Sequence, residues 1–86
     1  MDKKELFSKN QELSTEFEFY LLEHPELEEQ IPDNSLIVFQ PEYDPELSKT
    51  NLEIATRNRE KNQPVVHVKV QRLLKSRIDG LELKVA

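Results

Sequence analysis

Leu36-Ile37-Val38-Phe39, then Asp44-Pro45-Glu46, then Val65-Val66-His67-Val68-Lys69-Val70 is the stretch that decides the fold of this 86-residue chain. Both apolar runs have strand character, because β-branched and aromatic side chains suit a pleated, half-buried surface. Between them Asp44 is suited to cap a helix, Pro45 to occupy its first position and Glu46 to sit at its positive end. Two strands separated by about 25 residues that include a helix do not form a tight hairpin, so they are predicted to lie parallel.

Working outward, the first strand (36–40) is apolar on both faces, Leu36 and Val38 on one and Ile37 and Phe39 on the other, which predicts burial on both sides. The crossover helix should run from Pro45 to about Asn62, with Leu47, Ile54 and Ala55 inward, Leu52 beside them, and Pro64 as the stop. The second strand (65–70) carries Val66, Val68 and Val70 on one face and a mixed set, Val65, His67 and Lys69, on the other. Such a half-wet strand is expected at an edge, or with its second face against something else. Upstream, residues 3–23 read as an amphipathic helix whose stripe is Leu6, Leu13, Phe17, Tyr20 and Leu21, with Phe7 at its margin. At 1.5 Å per residue it is about 31 Å long, comparable with the width of so small a domain. It should therefore span or overhang the body and offer a dimer contact. His24-Pro25 interrupts it, Pro25 to Glu29 fits a short helical turn, and Pro32-Asp33-Asn34-Ser35 reads as a turn. Downstream, Gln71 to Ser76 is read as a helical turn, Asp79-Gly80 as a turn, and Leu81-Glu82-Leu83-Lys84-Val85 as a short strand on one edge, open to sharing between chains. The expectation is one α/β (or α+β) domain over residues 1–86. It has two layers: an N-terminal helix, a βαβ unit and a short C-terminal strand, with two helices covering a largely parallel sheet.

Composition makes this a lean domain. Hydrophobic residues are 36% and charged residues 34% of the chain, against roughly 45–50% and 25% in typical domains. A chain this short buries only roughly 60–65% of its unfolded surface. A second copy, or a partner covering part of the surface, would relieve the shortage of apolar area. The absence of cysteine excludes disulfides and thiolate metal sites. No apolar run approaches a membrane span, and Met1-Asp2-Lys3-Lys4-Glu5 lacks the apolar core of a secretion signal, so a cytoplasmic protein with no membrane partner is expected. Residues 1–60 hold 6 Lys/Arg against 15 Asp/Glu, whereas residues 61–86 hold 6 against 2. The acidic majority argues against nucleic acid as a partner, because phosphate repulsion follows the local field.

Four phrases carry a family likeness: Asn10-Gln11-Glu12-Leu13-Ser14, Tyr20-Leu21-Leu22-Glu23-His24-Pro25-Glu26, Ile31-Pro32-Asp33-Asn34, and Gln63-Pro64-Val65-Val66-His67-Val68-Lys69-Val70. In these the chain resembles a family of small prokaryotic proteins of unassigned function. The resemblance implies a small cytoplasmic protein and transfers no activity.

Four features invite a chemical reading. Glu42, Asp44 and Glu46 leave the carboxyl end of the first strand, where open α/β sheets bind ligands, and three carboxylates suit a hard cation. Against that, the same residues are good helix-capping and solvent-facing groups. The chain's single glycine, Gly80, lies elsewhere, so no phosphate-binding turn is present. His67, one strand away, would form an acid–base pair with Asp44 or Glu42 if the loop reached it, yet no motif supplies a nucleophile; the plainer reading is structural or interfacial. His24, at a helix end beside Pro25, reads as exposed or capping. The basic residues Lys69, Arg72, Lys75, Arg77 and Lys84 lack interleaved aromatics or glycine loops, and their simplest partners are acids of this protein or of another across an interface. Asn10, Asn51 and Asn58 fall in otherwise apolar rows, where they either fix register or sit at the wet margin.

The function expected from these readings is a non-enzymatic interaction module forming a homodimer. Leu6, Phe7, Asn10, Leu13, Phe17 and Tyr20 are its contact candidates, with no cofactor. One alternative is a metal-dependent or acid–base enzyme built on Glu42, Asp44, Glu46 and His67. Another is a regulator of a toxin or of a nucleic-acid-associated partner.

Overall fold

A computed structural model describes residues 1–74 and 77–86. Helix α1 covers Lys3–Glu23 and α2 Pro25–Glu28; strand β1 covers Leu36–Pro41, α3 Pro45–Asn58, β2 Val65–Leu74 and β3 Arg77–Val85. The sheet order is β1-β2-β3, parallel between β1 and β2 and antiparallel between β2 and β3. The fold is therefore α+β with a mixed sheet, rather than a largely parallel one.

The helix boundaries follow local chemistry. Asp2 caps α1 by accepting from the Glu5 amide at 2.8 Å, and His24-Pro25 ends it. Asp44 caps α3 through the Leu47 amide at 3.2 Å, ahead of Pro45 at the first helical position. That helix stops at Asn58, short of Asn62. Arg59 is extended, its Nε donates to the Gln63 carbonyl at 2.8 Å, and Asn62 adopts a left-handed φ of 64°. Side-chain bonds to nearby backbone thus build a turn in place of a last helical turn.

Two strand expectations change. Residues 71–74, read as part of a helical turn, continue β2, and Asp79-Gly80 lies inside β3; Lys75 and Ser76 fall outside the described residues. The cross-strand ladder outweighs the weak local preference, with Arg72 facing Asp79, Leu73 facing Ile78 and Leu74 facing Arg77. In addition, β2 is the central strand and β1 an edge. The mixed face of β2 is only partly wet at its centre: Ala55 of α3 packs on Val38 and Val65, while His67 and Lys69 farther along stay half-buried.

The core lies on the other face. Val66, Val68 and Val70 of β2 meet Leu13 and Phe17 of α1 and Leu47 of α3, with Ile37, Phe39, Ile78, Leu81 and Leu83 around them. Phe17 and Phe39 pack edge to face, centroids 5.7 Å apart. Helix α3 closes the free margin of β1. Asn51 Nδ2 donates to the Phe39 carbonyl at 2.9 Å and Ser48 Oγ to the Pro41 carbonyl at 2.7 Å. Two acceptors of an exposed sheet edge are satisfied in this way.

One positional detail organises the hairpin. Ile78, Leu81 and Leu83 all pack on the same core, although residues three apart in a regular strand point to opposite faces. The change of phase falls at Gly80, whose φ of 90° suits glycine, and the Gln71 side chain lies over it. Overall extents are 37 × 35 × 17 Å, so α1, at about 31 Å long, is comparable with the longest dimensions of the molecule.

Candidate functional site

The acidic loop is dispersed by its own contacts. Glu42 is exposed, and its amide extends the ladder to the Val70 carbonyl at 2.8 Å. Asp44 accepts from Lys9 Nζ at 2.9 Å while capping α3; these two bonds, Lys9 first, hold its carboxyl below the ordinary value of 3.8. Glu46 lies 3.4 Å from the Met1 ammonium. Each carboxylate thus serves capping, a cation of this chain or solvent.

His67 is not joined to them. It faces Val38 and Lys84 across the ladders, and its Nδ1 lies 2.8 Å from Gln40 Oε1, on the sheet face opposite to α1. Desolvation, then the charges of Lys69 and Lys84, push its pKa below 6.5. A neutral imidazole bonded to an amide is well suited to holding β1 and β2 together. Among the described residues, no group of three or more His, Asp or Glu side chains is placed to hold a metal ion.

The basic segment finds acids within its own hairpin. Arg72 Nε lies 3.0 Å from Asp79 Oδ2, and Lys69 faces Glu82 in the register. Lys75 lies outside the described residues. Arg77 borders a hollow of about 320 Å³ together with Glu16, Tyr20, His24 and Ile78. There His24 stacks on Tyr20 at 4.2 Å and lies 3.5 Å from Glu26, so its polar contacts are local.

The contact candidates on α1 divide sharply. Leu13 (1% exposed) and Phe17 (6%) are committed to this chain's core, and Leu6 packs against it. Asn10 pairs with Asn51, and Tyr20 is half-buried. Phe7 alone of the six is open, at 69% exposure; Leu22 (76%) and Phe19 (57%) are exposed farther along the helix, Phe19 at the hollow beside Arg77 and Ile78. The signal for Leu22 was present. Once Leu6, Leu13 and Phe17 turn inward, the row Phe7, Gln11, Ser14, Glu18, Leu22 repeats at spacings of four, three, four and four on a flanking face of the helix. All five are exposed. Beside this row a groove of about 490 Å³ runs between α1 and α3, lined in part by Phe7, Gln11, Ser14, Ile37, Ile54 and Asn58.

The match to family models covers residues 5–81, from the first turn of α1 into β3. The chain belongs to a family of unknown function, DUF5647. No curated protein and no solved structure matches it. The four phrases with a family likeness all lie inside the matched DUF5647 region, which takes in the core, the β1 margin and the exposed row of α1. Among the described residues, no helix is long and apolar enough to cross a membrane.

Proposed function

We propose that this DUF5647 protein is a small, non-enzymatic, cytoplasmic interaction module that works as a homodimer, with the outward side of α1 as its contact surface. One observation carries the reading: Phe7, Phe19 and Leu22 stand 69%, 57% and 76% exposed on the same helix whose other side supplies Leu13 and Phe17 to the core. Single exposed apolar residues are ordinary, but Phe19 and Leu22 are neighbours one turn apart, and Phe7 borders the apolar groove along the same helix. Aromatic residues are also enriched where interfaces bury area. The lean composition adds support, because covering these side chains supplements a small core.

The test is solution mass by light scattering over a tenfold concentration range, with Phe7→Ser/Leu22→Ser beside the parent chain. A dimer for the parent and a folded monomer for the double variant are expected. A parent chain that stays monomeric throughout overturns the reading.

A further inference from the structure

We infer that the free edge of β3 is a second contact between copies of this chain, separate from α1. Leu81 to Val85 pairs antiparallel with the same segment of a second copy, about a twofold axis at Leu83, and joins the two sheets into one.

The backbone of this edge is available. Val65 and Ala86 bond to each other twice through their backbones, at 3.4 and 2.9 Å. The register then turns the N–H and C=O groups of Glu82 and Lys84 toward β2, and those of Leu81, Leu83 and Val85 away from it. Strand β3 is an outer strand, and among the described residues no other backbone group bonds to these outward ones. The β1 margin differs, since Asn51 and Ser48 cap its carbonyls. Residues 77–86 also contain no proline, a common means of blunting an edge.

Charge selects the occupant and the register. Leu81-Glu82-Leu83-Lys84-Val85 alternates apolar and charged residues, with opposite signs on the two sides of Leu83. Reversed on itself about Leu83, it sets Glu82 against the partner's Lys84 and Lys84 against the partner's Glu82. Both side chains are exposed, and both fall in non-hydrogen-bonded pairs, where facing side chains stand closest. Other twofold registers do not match. Centring on Asp79, Glu82 or Lys84 opposes like charges, and centring on Gly80 or Leu81 opposes charges to apolar side chains. Within its own sheet Glu82 already faces Lys69, whereas Lys84 faces His67 and gains a carboxylate only from the second copy.

Packing agrees with charge. Leu81, Leu83 and Val85 lie opposite Val70, Val68 and Val66 on the core face. Those valines are fully buried, but Leu81 and Leu83 remain partly open and Val85 is 46% exposed. In the paired edge Leu83 meets the partner's Leu83 and Leu81 meets the partner's Val85, so the apolar layer continues across the axis. So short a segment makes a small contact of the weak class, which forms at high protein concentration.

Amide exchange followed by NMR, in millimolar protein and after dilution, tests the pairing. The outward amides of Leu81, Leu83 and Val85 are expected to be protected in the concentrated sample and to lose that protection on dilution. Lys84→Glu opposes two carboxylates and should abolish it, as should Glu82→Lys. Mixing the two single variants, or combining both changes in one chain, restores opposite signs and should restore protection. Circular dichroism checks folding; if Glu82→Lys does not fold with its new lysine facing Lys69, Lys84→Glu decides alone. Outward amides that exchange freely in the concentrated parent overturn the pairing, and protection that survives Lys84→Glu overturns this register. The same measurement on Phe7→Ser/Leu22→Ser separates the two contacts. Protection there upholds the β3 edge whatever α1 does, and its loss there overturns a separate edge contact.

Discussion

Asn10 of α1 and Asn51 of α3 bond to each other twice, Nδ2 to Oδ1 at 2.9 Å in one direction and 2.8 Å in the other, and Asn51 also donates to the Phe39 carbonyl at 2.9 Å. One polar pair thus locks both long helices to the edge strand, with Asn51 only 9% exposed. Asn10 and Asn51 thus meet each other across the helix seam, while Asn58, which borders the same groove, is exposed.

Replacing Asn51 with Ala should destabilise the fold by about 1–3 kcal/mol, because the Asn10 amide and the Phe39 carbonyl both lose a partner. Asn10→Ala should cost less, since Asn51 keeps its bond to Phe39. Urea unfolding should show midpoint shifts in that order with an unchanged slope. Equal shifts would mean that the carbonyl contact contributes nothing.

Gly80→Ala should cost about 1–3 kcal/mol, the usual range for a non-glycine residue held in a sparsely populated conformation. Its φ is 90°, and an added Cβ would press on Oε1 of Gln71, a flexible group, and stand 3.1 Å from Gln71 Cβ. Gln71→Ala in the same chain should restore only the steric part and leave the backbone part. Full recovery in thermal unfolding would show that the backbone conformation is not the constraint.

Stability should fall with acid through Asp44. Its folded pKa lies below 3.8, so its contribution is complete above 3.8 and disappears as pH drops through the folded value. Lys9 is raised above 10.5 by the same bond, so its share is complete below 10.5 and is lost as pH rises past the folded value. Lys9→Met should flatten both limbs of the stability–pH curve; an unchanged acid limb would assign it to other carboxylates.

His67 gives a second, milder acid dependence. Its folded pKa is depressed below 6.5, so the unfolded chain binds the proton more readily, and stability declines as pH falls from 6.5 toward the folded value. Titration of the ring by NMR should place it below 6.5, and His67→Gln should remove that step. A normal or raised value would contradict the burial and the two lysines as its controls.

The two sides of α1 should respond oppositely. Leu13→Ala, inside the core, should cost about 2–5 kcal/mol. Leu22→Ala, 76% exposed, should leave the monomer within about 0.5 kcal/mol and act on association alone. A large loss of monomer stability from Leu22→Ala would place that side chain in the chain's own packing.

Chemistry that acts over a few residues was legible in order along the chain. The span of α1, the Asp44-Pro45 start of α3 and the parallel pairing of 36–40 with 65–70 follow from periodicity, capping and connection length. Less of the candidate site could be read. Leu13 and Phe17 share a stripe with Leu6, and periodicity alone does not say whether such a stripe meets its own sheet or another molecule. The acidic loop and His67 are near in topology yet occupy opposite sides of the sheet, a distinction that depends on side-chain alternation and on where each helix settles.

What the amino-acid sequence by itself determined is therefore the local syntax: which segments are helical, where Asp and Pro start or stop them, and which faces are apolar. Tertiary structure alone decided that β2 is central, that residues 71–74 extend it, and that Gly80 shifts the phase of β3 so that Ile78 and Leu81 share one core. It also decided that Asn51 closes the margin of β1. These outcomes depend on pairing between residues distant in the chain, where cross-strand contacts and the need to satisfy buried polar groups outweigh local preferences of a few tenths of a kcal/mol.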